Sequence, residues 1–133
     1  RYSGGMVPDV TQILLKGKGI FSYPPYSKYP QGKLRLLFEC APLGMLMEKA
    51  GGAASDGSVR ILEKSLEALE QRTPIFVGSK DEVRRCEEYL AWCCKGQMGN
   101  EPFCFTYGVF VIKYINFKSS DKKYITKISR YKL

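Results

Sequence analysis

Histidine is absent from the 133 residues of this chain, and its cysteines are not spaced as a metal or disulfide framework. The five cysteines are Cys40, Cys86, Cys93, Cys94 and Cys104, and no two of them form a Cys-x-x-Cys pair. Structural zinc sites draw their ligands from such pairs and from histidine. The sequence therefore argues against a zinc site, and we expect reduced thiols, as in an intracellular protein.

Long apolar runs are also lacking. No run approaches the roughly 18 residues that a membrane span needs, so we expect no membrane partner. The hydrophobic content of 44% is nevertheless enough for a packed core. The chain begins at Arg1 with neither an initiator methionine nor a targeting segment, and we expect it to be a fragment of a longer protein.

The net charge of +8 is concentrated near the end of the chain. Residues 95–133 hold eight Lys and Arg against two Asp and Glu, which leaves a net charge of only +2 on residues 1–94. A nucleic-acid module would be expected to carry its basic footprint on the folded body as well, so we predict no nucleic-acid partner. The alternative from another functional class is a non-catalytic basic binding module that uses residues 113–132 against nucleic acid or an anionic surface.

Helical and extended patterns alternate along the first 91 residues, which predicts an α/β layer architecture. Short or branched apolar runs with turn residues at their ends indicate strands, and apolar residues at helical spacing indicate helices. Residues 53–57 are small and predict a flexible segment, and residues 65–69 fit either a helical turn or an extended crossover. The predicted helices cover residues 7–15, 42–50 and 82–90, and the predicted strands cover residues 20–23, 59–62 and 74–79.

The segment Lys33-Leu34-Arg35-Leu36-Leu37-Phe38-Glu39 combines two basic residues with one carboxylate just before a predicted helix. Lys33 and Arg35 can neutralise phosphate oxygens, and Glu39 offers a hard oxygen ligand to a divalent cation. A buried apolar strand or helical turn with solvated charges is the structural alternative. The segment therefore indicates a site for phosphate and a metal, provided that other motifs agree.

Several other motifs lie around this segment in a definite order. They are Arg-Tyr-Ser-Gly-Gly-Met-Val-Pro-Asp-Val at the start, Gly-Ile-Phe-Ser-Tyr-Pro, Ala-Pro-Leu-Gly, Met-Glu-Lys-Ala-Gly-Gly, Gln-Arg-Thr-Pro and Val-Gly-Ser. Their order and spacing resemble the C-terminal half of the class I sugar bisphosphatases, the fructose-1,6-bisphosphatase family. The residues of these motifs are most similar to those of the sedoheptulose-1,7-bisphosphatase branch.

The resemblance covers residues 1–91 and implies the C-terminal domain of a sugar-phosphatase fold, a layered α-β-α sandwich. Residues 92–133 form a divergent basic and aromatic tail with no counterpart in the family pattern. Its run from 103 to 115 is aromatic and β-branched and fits a hairpin or an added edge strand. The tail is either a genuine extension or translated noncoding sequence.

The resemblance also implies roles for five substrate-binding residues. Arg1 and Tyr2 match residues of the distal phosphate site, where the arginine reaches across a subunit interface. Tyr23 matches a tyrosine that hydrogen-bonds the same phosphate, although the edge of an aromatic core explains it equally well. Lys33 matches a lysine that contacts sugar and phosphate. Arg35 matches a basic residue near the phosphate to be cleaved, with a surface ion-pair partner as the alternative.

Glu39 matches a carboxylate that holds the catalytic Mg²⁺, and it is the one catalytic and metal residue carried over. The family's Asp-Pro-Leu-Asp-Gly motif and paired glutamates are missing here and lie upstream in the family. We therefore expect this chain alone to be inactive, because one carboxylate cannot hold a multi-cation site.

The implied function is hydrolysis of the 1-phosphate of sedoheptulose 1,7-bisphosphate by the full-length protein, a phosphoric monoester hydrolase of the Calvin cycle or gluconeogenesis. Fructose-1,6-bisphosphatase or a dual-specificity enzyme is the alternative within the same chemistry. The implied partner is the sugar bisphosphate, the implied assembly is a homo-oligomer, and the implied compartment is the plastid or the cytoplasm.

Overall fold

The computed structural model describes residues 3–94, which form three α-helices and five short strands. Helix α1 ends at Gly17, which adopts a left-handed conformation with φ of 66° that glycine tolerates best. No helix in this described part is long and apolar enough to cross a membrane. In chain order the elements are α1 (Met6–Lys16), β1 (Ile20–Tyr23), β2 (Leu34–Arg35), α2 (Ala41–Lys49), β3 (Ala53–Ser55), β4 (Arg72–Thr73), β5 (Ile75–Gly78) and α3 (Lys80–Cys94).

Strands β1, β5 and β3 form an antiparallel sheet with β5 in the centre. In this sheet Val77 of β5 lies opposite Phe21 of β1 and Ala54 of β3. All four residues of β5 are buried, as its apolar sequence predicts for a central strand. The predicted strands at 20–23 and 74–79 are therefore confirmed, the second with slightly shorter bounds.

The helices lie on both faces of this sheet. Ile75 and Val77 point to one face, where they join a buried cluster with Val10 of α1 and Met47 of α2. Phe76 points to the other face. On that face Phe76 and Leu90 of α3 both lie against Gly57. The α-β-α layering predicted from the sequence is confirmed.

A second, two-stranded sheet pairs β2 with β4, with Leu34 opposite Thr73. Beyond β2 the chain enters a π-helical turn, Leu36–Cys40, that continues directly into α2. The predicted helix at 42–50 is therefore confirmed within one residue at each end, with the π-helical turn preceding it. Leu36 and Cys40 are four residues apart and both buried, so a helical turn is the conformation that places both in the core.

Two predictions were wrong. Residues 53–57 were expected to be flexible, but Ala53–Ser55 is the edge strand β3. Its small residues instead allow α2 to pack closely against the strand. The approach is so close that a Cβ added to Gly44 of α2 would lie 3.1 Å from the Cβ of Ala54. Residues 59–62 were expected to form a strand, but they hold one isolated bridge and the start of a 3₁₀ turn, Ile61–Glu63.

Cys40 and Cys86 are free thiols. Cys40 is fully buried, and burial, followed by the negative charge of Glu39, raises its pKa to about 12. Burial raises the pKa of Cys86 to about 11, with the neighbouring glutamates adding to the effect. Both thiols are therefore protonated at neutral pH and unsuited to nucleophilic chemistry. The predicted hairpin or edge strand at 103–115 lies outside the described residues.

Candidate functional site

A small pocket opens where β1 ends and β2 begins. Its cavity has a volume of about 130 Å³. The first described residues of the chain form one wall, because Gly4 and Met6 contribute to the lining. The pocket brings Tyr23 and Lys33 together, ten residues apart in sequence and both predicted to bind substrate. The full lining is Gly4, Met6, Phe21, Tyr23, Lys33 and Leu34.

Lys33 owes its position to contacts between its loop and strand β4. Gly32 has φ of 87°, and a side chain there would overlap the carbonyl group of Thr73. The Arg72 guanidinium donates a hydrogen bond to the Lys33 carbonyl oxygen. The backbone of Lys33 is therefore held against β4 while its side chain stays exposed, which leaves the ammonium group available to an anion.

Tyr23 lies at the end of β1 and is partly buried. Burial raises the pKa of its hydroxyl, the charge of Lys33 opposes this effect, and Tyr26 raises the pKa further. The net shift is upward, so Tyr23 stays protonated at neutral pH and can donate a hydrogen bond to a phosphate oxygen. The Lys33 ammonium lies 6.0 Å from the centre of the Tyr23 ring. The pocket thus contains one neutral donor and one cationic donor side by side.

Arg35 and Glu39 form a second pair beside the pocket-lining residue Leu34. The π-helical turn places Glu39 Oε2 2.7 Å from the backbone nitrogen of Arg35, which donates to it. The Arg35 Nε lies 3.5 Å from the same oxygen, and its guanidinium lies 5.2 Å from the centre of the Phe38 ring. The two side chains are 40% and 36% exposed, so the ion pair contributes only about 0–1 kcal/mol. An entering anion or cation can therefore separate them at little cost.

Glu39 is suited to be one ligand of a magnesium ion, but the described residues do not form a complete magnesium site. Both of its described contacts use Oε2, which leaves Oε1 without a partner among residues 3–94. A carboxylate oxygen is a ligand that Mg²⁺ prefers. Within that same described range, no three acidic, cysteine or histidine side chains come together as a metal-binding group. The residues present therefore suit one ligand position and require further carboxylates from elsewhere.

Arg1 and Tyr2, the other predicted substrate ligands, lie outside the described residues. The chain that follows them is anchored next to the pocket. The Ser3 N–H donates to the buried carboxylate of Asp9, with a distance of 3.0 Å to Oδ1. Asp9 therefore fixes the entry of the chain from within the first turn of α1. This is a structural role.

Sequence reasoning missed two residues that support the site. Arg72 lies 39 residues from Lys33 and gives no local signal of its contact, which only the pairing of β2 with β4 creates. Tyr26 was not among the predicted site residues, yet its ring centre lies 6.5 Å from that of Tyr23. The clustering of tyrosines between 23 and 29 was the signal that could have drawn attention to it.

The fold is that of the C-terminal domain of an α/β sugar phosphatase. The family model for the fructose-1,6-bisphosphatase C-terminal domain matches residues 1–91, and the chain belongs to this family. Among curated relatives, the class 1 fructose-1,6-bisphosphatase of Trichlorobacter lovleyi is 54% identical over 94 residues, which cover 71% of this chain and 30% of that protein.

Solved structures of two kinds of sugar bisphosphatase match. Leishmania major fructose-1,6-bisphosphatase in the T-state is 47% identical with a TM-score of 0.67, over 69% of this chain and 28% of that chain. A Toxoplasma gondii protein proposed to be a sedoheptulose-1,7 bisphosphatase is 39% identical with a TM-score of 0.67, over 71% of this chain and 30% of that chain. This chain therefore spans about 30% of the length of the relatives it matches.

Proposed function

We propose that this chain is the C-terminal part of a Mg²⁺-dependent sugar bisphosphatase that removes the 1-phosphate of its substrate. The observation that carries the proposal is the pocket in which Tyr23 and Lys33 meet beside the paired Arg35 and Glu39. Two donors with different charge states, next to a cation and a carboxylate, suit a ligand that carries phosphate and recruits a metal. The names of the family and of the matched relatives support the same chemistry.

Tyr23 and Lys33 in the pocket, and Arg35 and Glu39 beside it, each have a definite task in this proposal. Tyr23 and Lys33 bind and orient the substrate by donating hydrogen bonds to its phosphate and sugar oxygens. The Arg35 guanidinium swings from Glu39 to the phosphate that is cleaved and neutralises its charge, while the Arg35 backbone N–H continues to orient the carboxylate through Oε2. Glu39 then supplies one oxygen ligand to Mg²⁺. When bound, Mg²⁺ neutralises the phosphoryl oxygens and lowers the pKa of a bound water.

The names of the relatives favour fructose 1,6-bisphosphate as the substrate, whereas the residues of the sequence motifs favour sedoheptulose 1,7-bisphosphate. Both share the phosphate chemistry that the pocket suits, so the choice rests on measurement. The full-length protein should release phosphate from at least one of them only with Mg²⁺ present, and the ratio of the two kcat/KM values identifies the preferred sugar. Release from neither, in a folded protein with Mg²⁺, would contradict the proposal.

Arg1 extends the proposal to the assembly. If it binds the distal phosphate of a neighbouring subunit, as the resemblance implies, the site is complete only in a homo-oligomer. Mixing full-length Arg1→Ala subunits with Glu39→Gln subunits should then restore part of the lost activity, because some interfaces combine an intact Arg1 with an intact Glu39. Subunit exchange is verified with two affinity tags. Mixtures that exchange subunits but recover no activity would show that Arg1 does not act in trans.

A further inference from the structure

Arg72 of β4 differs in its partners from the other arginines that the structure describes. Between residues 3 and 94, the arginines that form ion pairs with aspartate or glutamate are Arg35, Arg60, Arg84 and Arg85. Arg72 forms no such pair within that range, and its side chain is exposed. Its one hydrogen bond to a described residue runs from Nη1 to the Lys33 carbonyl oxygen. The Nε and Nη2 groups are therefore available as donors to an anion.

Arg72 adjoins both parts of the candidate site. Strand β4 is antiparallel to β2, and Arg72 lies directly opposite Arg35. Side chains in such a pair project from the same face of the sheet, with Cβ atoms about 4.5–5.5 Å apart. The hydrogen bond to the Lys33 carbonyl also holds the Arg72 guanidinium against a residue that lines the pocket. Arg72 is thus next to the pocket and next to the pair of Arg35 and Glu39.

The charges at this place are unbalanced. Lys33, Arg35 and Arg72 are three cations, and Glu39 is the one carboxylate that pairs with any of them among residues 3–94. Like charges directly opposite each other on neighbouring strands are unfavourable, and an anion bound against both would relieve the repulsion. A phosphate ester carries about −1.5 to −2 charges at pH 7, which matches the excess of positive charge.

We propose that Arg72 is a further substrate-binding residue, a second arginine that binds the phosphate group together with Arg35. Nη1 remains on the Lys33 carbonyl, while the edge formed by Nε and Nη2 donates to the phosphate oxygens. Because this hydrogen bond already orients the guanidinium, little side-chain entropy is lost when the anion binds. The inference rests on the proposed function only for the nature of the ligand.

The test replaces Arg72 by Gln and by Lys in the full-length protein. Gln removes the charge and the planar fork of donors, whereas Lys keeps the charge without the fork. Arg84→Gln is the matched control, because Arg84 is an exposed arginine of α3 that pairs with Asp81 and Glu88. Circular dichroism verifies the fold of each variant. Calorimetry gives the Kd for inorganic phosphate, and steady-state kinetics give kcat/KM for both sugar bisphosphates.

We expect Arg72→Gln to raise the Kd for phosphate, and to lower kcat/KM, by about tenfold, near the lower limit for a lost hydrogen bond between charged groups. Arg72→Lys should change both quantities by only about threefold, because the charge remains. The Kd of Arg72→Gln should also depend less steeply on salt concentration than that of the wild type, since the site has lost one charge. Arg84→Gln should change none of these quantities.

A second comparison separates direct binding from an effect exerted through Lys33. If Arg72 contacts the phosphate itself, Arg72→Gln should still raise the Kd at least about threefold when it is added to Lys33→Met. These measurements are made at low ionic strength, where weak binding remains detectable. No further rise would show that Arg72 acts only by holding the Lys33 backbone, and the inference would be overturned. An unchanged Kd in Arg72→Gln alone would overturn it as well.

The proposed function fails separately. If the folded wild-type protein hydrolyses neither sugar bisphosphate but Arg72→Gln weakens phosphate binding as expected, the role of Arg72 stands and the enzymatic assignment is wrong. If the wild type hydrolyses one of the sugars but Arg72→Gln changes neither Kd nor kcat/KM, the enzymatic assignment stands and the inference about Arg72 is wrong. If the wild type binds neither phosphate nor sugar bisphosphate, both are wrong.

Discussion

Replacing Glu39 separates its structural role from its proposed role as a metal ligand. Its Oε2 accepts the Arg35 N–H at 2.7 Å inside the π-helical turn. Hydrogen bonds to charged groups contribute about 1.5–3 kcal/mol and neutral ones about 0.5–1.5 kcal/mol. Because the side chain is 36% exposed, values near the lower limits apply. Glu39→Gln keeps an acceptor and should cost about 1 kcal/mol of stability, whereas Glu39→Ala removes it and should cost about 1.5–2 kcal/mol.

The effect on catalysis should not follow this order. A glutamine amide is a much weaker ligand for Mg²⁺ than a carboxylate, so Glu39→Gln should lower kcat at least about tenfold, which corresponds to about 1.4 kcal/mol in the activation barrier. KM should change less than kcat, because the lost interaction acts where charge develops in the transition state. Higher Mg²⁺ concentrations should restore part of the loss.

Urea unfolding and Mg²⁺-dependent phosphate release by the full-length protein provide the two measurements. Glu63→Gln is the matched control, since Glu63 is an exposed glutamate that pairs with Arg60 at 2.6 Å, outside the pocket lining. It should keep wild-type turnover. If Glu39→Gln also keeps wild-type turnover at ordinary Mg²⁺ concentration, Glu39 is not a metal ligand and its contact with Arg35 is its whole role.

Three further predictions address the loop, the acid stability and the isolated chain. Gly32→Ala should destabilise the protein by at least about 2 kcal/mol, because it adds an overlap with the Thr73 carbonyl to the strain of a positive φ. Gly51→Ala, with φ of 91° and open space around it, should cost only about 1 kcal/mol, and equal losses in urea unfolding would refute the overlap. Burial raises the pKa of Asp56, but hydrogen bonds from Lys64 and the loop backbone outweigh it and leave the pKa below its usual value. Its stabilising effect is therefore complete above about pH 4 and is lost as the pH falls through the lower folded-state pKa, so the stability gap between wild type and Asp56→Asn should shrink between pH 5 and pH 2, and a constant gap would contradict this. Finally, the isolated 133-residue chain should release no phosphate from either sugar bisphosphate with Mg²⁺, and any release above that of its Glu39→Ala form would refute the idea that the metal site is incomplete.

Much of the secondary structure could be predicted because its causes are local. The apolar residues of α1 repeat at helical spacing and Gly17 ends the helix, so the bounds agree within one residue at each end. The strand at 20–23 alternates and stops at two prolines, and its bounds agree fully. Residues 53–55 were misjudged, because small side chains are compatible with flexibility and with close packing alike. Only the approach of α2 over this strand distinguishes the two.

The sequence by itself determined the candidate residues and their chemistry, since the positions of Lys33, Arg35 and Glu39 in an ordered set of motifs indicate phosphate and a metal. Tertiary structure decided which of these residues meet. It brought Tyr23 and Lys33 together in one pocket. It also paired Arg35 with Glu39 through a π-helical turn that no local sequence pattern predicts. It also brought Arg72 against Lys33 from 39 residues away and placed Tyr26 behind Tyr23. The physical reason is that the chemistry of a side chain is a property of one residue and can be read at each position of the sequence. The distances between these side chains depend on strand pairing and core packing, which involve residues far apart in the chain.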